Sequence, residues 1–342
     1  MSDHLHDGAG PAGGAPPPPA DPGRDAPPAR AREAGASPPG VTVAVLARSD
    51  EPALAATLRS LERAAGKLAA RGHAVSFVIC VNGEDGREAL ADARSFADCM
   101  RSLRTAVIRE PLADKARAWN LARSSCATPI VVFCDADVDV APDALVVLVD
   151  ALAAAPRALL ASARQVPALA GASAVARAAA LPYRFDFGVV GGRLYAMRSS
   201  AVARMPEGLL LEDGWLSAVL GREQLLVVDA AEVRFRPPET LADYFRERLR
   251  TEAGKVQIRE ARRSARGGAA GLGPRRGPIA RYPWREMARR LAPGDWPLAA
   301  INLGVRAAAR VAAEVAARTG HRIRWATIAT SKPPRAAAGG KA

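Results

Sequence analysis

Val41-Thr-Val-Ala-Val-Leu46 is a β-rich run entered from Pro38-Pro39-Gly40 and left through the polar turn Arg48-Ser49-Asp50-Glu51-Pro52. Leu54, Leu58, Leu61 and Leu68 then recur at helical spacing and share one helix face. Val75 to Val81 predicts a second strand, closed by Asn82-Gly83. The pattern continues with a helix over about 86–98, a strand from Arg104 to Ile108, and a helix from Asp114 to Ser124. Pro129 to Cys134 predicts a fourth strand that is almost wholly apolar. Unbroken apolar runs fit strands covered on both faces, as in parallel sheets. Strands alternating with helices at these lengths predict an open α/β sheet, mostly parallel and flanked by helices. Ligands of such sheets bind beyond the carboxyl ends of the strands, where the polar clusters after Leu46, Val81 and Cys134 lie.

The second half is less periodic. Residues 160–200 mix small side chains with Gly191-Gly192; a helix over about 213–221 and a strand from Gln224 to Val228 follow. Arg266 to Arg275, rich in glycine, reads as a flexible linker or lid. Pro297 to Arg318 predicts an amphipathic helix, with Asn302, Arg306, Arg310, Glu314 and Arg318 on one slanting stripe. Ile301, Val305, Ala308, Val311, Ala312 and Val315 take its other side. Such a helix either packs on the α/β core or lies on an anionic membrane surface. The most apolar stretch, Trp296 to Val315, is interrupted by Asn302, Arg306, Arg310 and Glu314, too often for a membrane span. Residues 1–40 hold ten of the 27 prolines and seven of the 29 glycines, which predicts a disordered tail. The expected organisation is therefore a tail over 1–40, a sheet domain over 41–260, and a basic linker with a C-terminal helix and tail over 261–342.

Composition sharpens this picture. Hydrophobic residues make up 49% of the 342 but aromatics only 5%, so the core is built from small aliphatic side chains. The net charge is +13, and the stretch from Arg234 to Leu291 supplies ten of it, with sixteen Lys and Arg against six Asp and Glu. That excess permits anionic partners. Nucleic acid is not expected among them, because the basic stretch lacks interleaved aromatics and a recognised binding module. Cys80, Cys99, Cys126 and Cys134 form no CxxC pair, which excludes a zinc ribbon and predicts reduced thiols in a cytoplasmic protein. The first forty residues contain no apolar segment of a secretory signal.

Three clusters carry candidate chemistry. Asp135-Ala-Asp137 follows the buried strand Ile130 to Phe133. Two carboxylates at one strand edge repel unless a cation or donors stand between them, and a hard divalent ion with diphosphate oxygens is the natural partner. Asp139 creates a second, overlapping pair, although the upstream strand favours the first. Leu210-Leu-Glu212-Asp213-Gly-Trp215 ends a buried run in paired acids at a helix start, as either an N-cap or a general base. Asp114-Lys115-Ala-Arg-Ala-Trp-Asn120 places a lysine at a helix start, where it can meet an anion.

In this order the clusters resemble family 2 glycosyltransferases of the GT-A fold, over about residues 41–260. Val43 to Glu51 looks like that family's opening segment, and Val81-Asn-Gly-Glu-Asp-Gly86 like its second-strand turn. Lys115-Ala-Arg-Ala-Trp-Asn120 is similar to its Lys-x-x-Ala-x-Asn helix, Asp135-Ala-Asp137 to its metal motif, Gly191-Gly-Arg-Leu-Tyr-Ala-Met-Arg198 to its acceptor-side segment, and Glu212-Asp213 to its acidic pair. The resemblance implies an inverting, metal-dependent transfer of one sugar from a nucleotide-diphosphate sugar to a hydroxyl acceptor. Ala47, Asp50 and Asn82 would line the nucleobase pocket; Lys115, Asp135 and Arg250 would meet the donor. Asp137, with Asp135, would hold Mg²⁺ or Mn²⁺. Gly191, Gly192 and Glu212 would face the acceptor, and Asp213 would be the base. A role in cell-envelope or polysaccharide synthesis would follow, with a peripheral membrane contact and a lipid-linked acceptor if the C-terminal helix binds membrane.

Two departures qualify the resemblance. Asn82 stands where an acid is frequent in the family, which leaves uracil and guanine both open. Glu247-Arg-Leu-Arg250-Thr keeps only the arginine of the Gln-x-x-Arg-Trp segment of processive members, which favours single transfer over polymer synthesis. A nucleotidyltransferase on a similar sheet would need a glycine-rich loop after the first strand, where this chain has Ala47-Arg-Ser-Asp-Glu51.

Overall fold

The computed structural model describes residues 38–84, 87–185, 191–266, 284–321, 323 and 329–332. The proline-rich tail before Pro38, Asp85 and Gly86 of the second-strand turn, and the glycine-rich stretch after Arg266 lie outside the described residues. The elements alternate through the first half: β1 (Val41–Arg48), α1 (Leu54–Ala70), β2 (Val75–Asn82), α2 (Arg87–Cys99), β3 (Arg104–Glu110), α3 (Lys115–Ser124) and β4 (Ile130–Asp135). They continue with β5 (Val138–Val140), α4 (Ala144–Ala154), β6 (Leu160–Pro167), α5 (Ala174–Ala180) and β7 (Leu194–Arg198). The last are α6 (Glu212–Val219), β8 (Leu225–Phe235), α7 (Leu241–Arg266), α8 (Trp284–Arg290) and α9 (Trp296–Arg318).

The strands form one eight-stranded sheet in the order β3-β2-β1-β4-β7-β6-β8-β5. β3, β2, β1 and β4 are parallel, as the apolar runs of β1, β2 and β4 imply. β7 is antiparallel to both β4 and β6, and β6 runs parallel to β8 with a register break between Ala163 and Arg164. β5, β6 and β7 have no counterpart in the sequence pattern. Short stretches such as Leu194-Tyr-Ala-Met-Arg198 are too brief to show a period.

Both faces of the central strands are covered. Val41, Val43, Val45 and Ala47 pack with α1 and α4, whereas Ala44 and Leu46 pack with Trp119, Phe133 and Tyr195 on the other face. These three rings stack beneath the carboxyl end of the sheet: Trp119 on Phe133 at 4.8 Å, and Phe133 on Tyr195 at 5.4 Å between centroids. The Trp119 indole N–H donates to the Tyr195 hydroxyl at 2.8 Å, so α3, β4 and β7 are tied together through buried aromatic contact.

α7 is continuous across residue 260, and α9 packs on α7 and α5. The orientation of α9 differs from what its stripe suggests. Asn302 is fully buried and donates to the Ala178 carbonyl at 2.7 Å and to the Tyr244 hydroxyl at 2.6 Å. Ala299, Ala309, Ala313 and Ala316 fill the rest of that face, leaving Val311 (64% exposed) and Val315 (53%) pointing outward. Alanines allow close helix approach, so the larger apolar side chains are not needed inside. Among the described residues no helix is long and apolar enough to cross a membrane.

Trp119→Ala should remove the top of the ring stack and the donor to Tyr195. Chemical denaturation should then show a loss of about 3–5 kcal/mol; a loss below ~1 kcal/mol would show that the stack does not hold α3 to the sheet.

Candidate active site

The geometry begins where β4 ends. Asp135 is the last residue of β4, fixed by its own N–H donating to the Arg193 carbonyl at 2.9 Å. The turn that follows is held from below by two buried hydroxyls of α1. Thr57 Oγ1 lies 2.9 Å and 2.7 Å from the Ala136 and Val138 carbonyls and accepts from the Val138 N–H at 3.1 Å. Ser60 accepts from the Val140 N–H at 3.1 Å. The three aspartates thereby separate. Asp135 meets Lys115, Asp137 meets Lys332, and Asp139 faces outward, 62% exposed, with Arg63 at 3.7 Å. Asp139 is thus the exposed member of the overlapping pairs, whereas Asp135 and Asp137 each face a shielded lysine.

Lys115 enters from α3. Asp114 caps that helix, accepting from the Ala116 and Arg117 N–H groups at 2.9 Å and 3.1 Å, and it also accepts from the Gly208 N–H at 2.7 Å. Lys115 at the first helical position places Nζ 2.7 Å from Asp135 Oδ1 and against Glu212 Oε1. Asn120, one turn on, makes no bond into the cleft. Its amide clamps the Met205 backbone, donating and accepting at 2.9 Å each. Glu212 and Asp213 form the first turn of α6, behind Leu211, so neither acts as its N-cap.

Burial works against charge on all four groups, and their mutual attractions decide the outcome. Burial alone would lower the Lys115 pKa, but Asp135 and Glu212 together hold it above its ordinary value. Burial raises Asp135, and Asp137 and Glu212 add to the rise against the pull of Lys115. Burial opposes ionised Glu212 as well, yet Lys115 keeps its pKa low. Asp213 is pushed up to about 6 by burial and by the neighbouring Glu212, with the Gly214 N–H at 2.7 Å only partly offsetting them.

Lys115, Asp135, Glu212 and Asp213 line a cleft of about 620 Å³, together with Gly191, Gly192, Arg193, Arg250 and Lys255. Gly192 is there because a side chain would not fit: a Cβ would lie 2.9 Å from the Asp213 Cβ. The α7 wall carries Glu247 paired with Arg248 at 2.5 Å, and Lys255 paired with Glu252 at 2.7 Å. Arg193, in the glycine segment, adds a cation to the cleft that its sequence surroundings do not signal. It lies over the Phe235 ring at 3.7 Å, donates to the Tyr183 hydroxyl at 3.2 Å, and its charge reaches both Asp135 and Asp137.

The other expected residues stand apart from this cleft. Ala47 and Asn82 sit at the carboxyl ends of β1 and β2, where Arg48 and Asn82 are in register. Asn82 is buried and donates from Nδ2 to the Ala47 carbonyl at 2.8 Å, and its Oδ1 has no partner among the described residues. Asp50 is half exposed and accepts from Arg48 Nε at 2.9 Å. Asp137 shares a cation with Glu51: Lys332 Nζ lies 2.6 Å from each carboxylate. Neither Glu51 nor Lys332 was singled out from sequence. Glu51 sits in the opening turn, but nothing near Lys332 ties it to Asp137, 195 positions away.

Residues 42–173 match the family model described as Glycosyl transferase family 2. Those residues match a family 2 glycosyltransferase domain. The mannosyltransferase PcManGT from Pyrobaculum calidifontis, solved with GDP-Man and Mn²⁺, is similar at 20% identity and a TM-score of 0.51, over 82% of this chain and 79% of that one. Mannosyl-3-phosphoglycerate synthase from Rubrobacter xylanophilus is similar at 19% identity and a TM-score of 0.48, over 67% and 76% of the two chains. No curated protein matches the chain. The chain thus has the expected GT-A architecture, a mostly parallel sheet flanked by helices with a helical C-terminal region.

Lys115→Met should leave Asp135 and Glu212 buried without their shared cation. Removing one member of a buried ion pair costs about 3–5 kcal/mol, so urea unfolding should report a loss of that size at neutral pH. An unchanged midpoint would show that the two acids find another counter-charge.

Proposed function

We propose that this glycosyltransferase moves one sugar from a nucleotide-diphosphate sugar to a hydroxyl acceptor, with inversion, and that Asp213 is the base. The observation that carries the reading is Asp213 itself: a carboxylate in the cleft wall, raised to about 6, beside acids committed to Lys115. Asp213 is basic enough to take a hydroxyl proton and still ionised at neutral pH. The acceptor oxygen forms its bond to the anomeric carbon as the bond from that carbon to the diphosphate oxygen breaks. The hydroxyl proton passes to Asp213, and the nucleoside diphosphate leaves. Attack opposite the leaving group inverts the anomeric centre.

Lys115 and Arg250 line the same cleft and would meet the donor, while Gly191 and Gly192 let the acceptor approach Asp213. Asn82 fits a nucleobase partner. Nδ2 donates one of its two hydrogens to Ala47, and the unpartnered Oδ1 is an acceptor that suits the ring N–H of uracil or guanine. Among the described residues no three metal-ligating side chains cluster, but Asp137 and Glu51 converge on one cationic atom. That pair of hard oxygen donors fits Mg²⁺ or Mn²⁺ when substrate oxygens complete the shell. A bound ion there would offset charge on the departing diphosphate.

Asp213→Asn should lower kcat by about 10²–10⁴-fold, while calorimetry shows donor binding intact. A variant turning over normally would remove Asp213 as the base. In the unmodified enzyme, protonation disables a base below its pKa. The rate should therefore fall about tenfold per pH unit below an apparent pKa near 6 and level off above it. A flat profile between pH 5 and 7 would contradict this role.

We also place the outward strip of α9 against an anionic membrane surface, which would bring a lipid-linked acceptor within reach. Val311 and Val315 are exposed on α9 alongside the exposed Arg310 and Arg318. The full chain should float with anionic vesicles at low salt, and Val311→Asp with Val315→Asp should abolish this. Failure of the full chain to float would exclude membrane docking.

A further inference from the structure

The C-terminal segment places a lysine at the carboxylates to which a donor metal would be assigned. Lys332 is largely shielded, at 16% side-chain exposure, and so is Glu51, at 5%. The segment before Lys332 is anchored from the opposite side. Thr330 donates to Asp243 Oδ2 from both its backbone N–H (2.9 Å) and its hydroxyl (2.6 Å), and accepts from the Glu239 N–H at 3.1 Å. Asp243 is buried, and Ser331 beside Thr330 is buried too. Lys332 is thus held by a short turn, Ala329–Ser331, docked at the start of α7.

We propose that Lys332 is a tethered counter-cation of the Asp137–Glu51 pair, which a divalent ion must displace in order to bind. This rests on the reading of Asp137 as a metal ligand. The geometry makes the two cations exclusive. Nζ lies 2.6 Å from an oxygen of each carboxylate. A Mg²⁺ ion needs such oxygens at about 2.0–2.1 Å. An ion reaching both carboxylates would overlap the position of Nζ and repel its charge. The lysine also gives the empty enzyme what it needs. Without a cation, two shielded carboxylates would face one another across a short gap, with Asp135 close behind. Metal binding therefore carries the cost of breaking two ion pairs, and by linkage the metal loosens Lys332 by the same factor. Free enzyme would hold metal weakly, whereas metal arriving with a diphosphate, which adds oxygens of its own, would succeed.

Mn²⁺ titration of the full-length protein, followed by electron paramagnetic resonance without nucleotide, tests this directly. Lys332→Met should bind Mn²⁺ about tenfold more tightly or better. Lys332→Arg, which keeps the charge, should stay near the unmodified affinity. Asp137→Asn introduced into Lys332→Met should abolish the gain. In the unmodified protein, Mn²⁺ should also speed acetylation of Lys332 by an amine-reactive reagent, read by mass spectrometry. Unchanged or weaker Mn²⁺ affinity in Lys332→Met, while Asp137→Asn alone weakens binding, would overturn the displacement and leave the metal reading intact. Equal affinity in every variant would overturn both.

Discussion

A buried lysine shared by two carboxylates is the interaction on which the site depends. Five acids, Glu51, Asp135, Asp137, Glu212 and Asp213, gather around the carboxyl end of one strand. At low effective dielectric such a group disperses or protonates unless cations stand within it. Lys115 solves the inner half by bridging β4 and α6. It does so because Asp114 fixes the start of α3 and because the ring stack below prevents the helix from sliding. Lys115 is paired with Asp135 and Glu212, and Asp213 beside them is pushed up to about 6, while Asp135 rises as well despite its lysine. The charges gathered around Lys115 thus bear directly on the basicity of the proposed base, Asp213.

The sheet and helices supply the precision this arrangement needs. α1 contributes no group to the cleft, yet its Thr57 and Ser60 hold the turn that points Asp135 and Asp137 in different directions. On the far wall, glycines set the spacing. A Cβ on Gly254 of α7 would fall 2.4 Å from the Leu211 Cβ, so α7 can lie directly against the start of α6. Rigid elements, rather than loops, therefore carry most of the candidate groups, in keeping with a site that must hold charges at fixed separations.

Legibility in the sequence followed the range of the forces involved. The parallel half of the sheet was readable because β1, β2 and β4 are buried on both faces and their composition says so. Lys115, Asp135, Glu212 and Asp213 were readable because each sits at the end of a recognisable element, and the structure brings these four together. The antiparallel insertion of β7 was not readable, since five residues carry no period. Lys332 left no trace at all. Its significance lies in a contact with residues far away in the chain, and the residues flanking it have no distinguishing pattern. α9 misled in an instructive way: its polar stripe contains the one residue, Asn302, that the fold buries, because a helix that packs through alanines leaves its valines outside.

That packing has a consequence for how the C-terminal helix is placed. A row of alanines offers nearly the same contact after a shift of one turn, so hydrophobic burial alone scarcely distinguishes neighbouring registers of α9. Asn302 does distinguish them. Its amide reaches a carbonyl of α5 and a hydroxyl of α7 at once, and a slide by a turn would strand all three polar groups in the interior. A buried amide in this position sacrifices some stability for uniqueness, much as a single asparagine fixes register in a coiled coil. The outward residues of α9 are then free to change with whatever surface the helix meets, while its axial position is kept by one side chain.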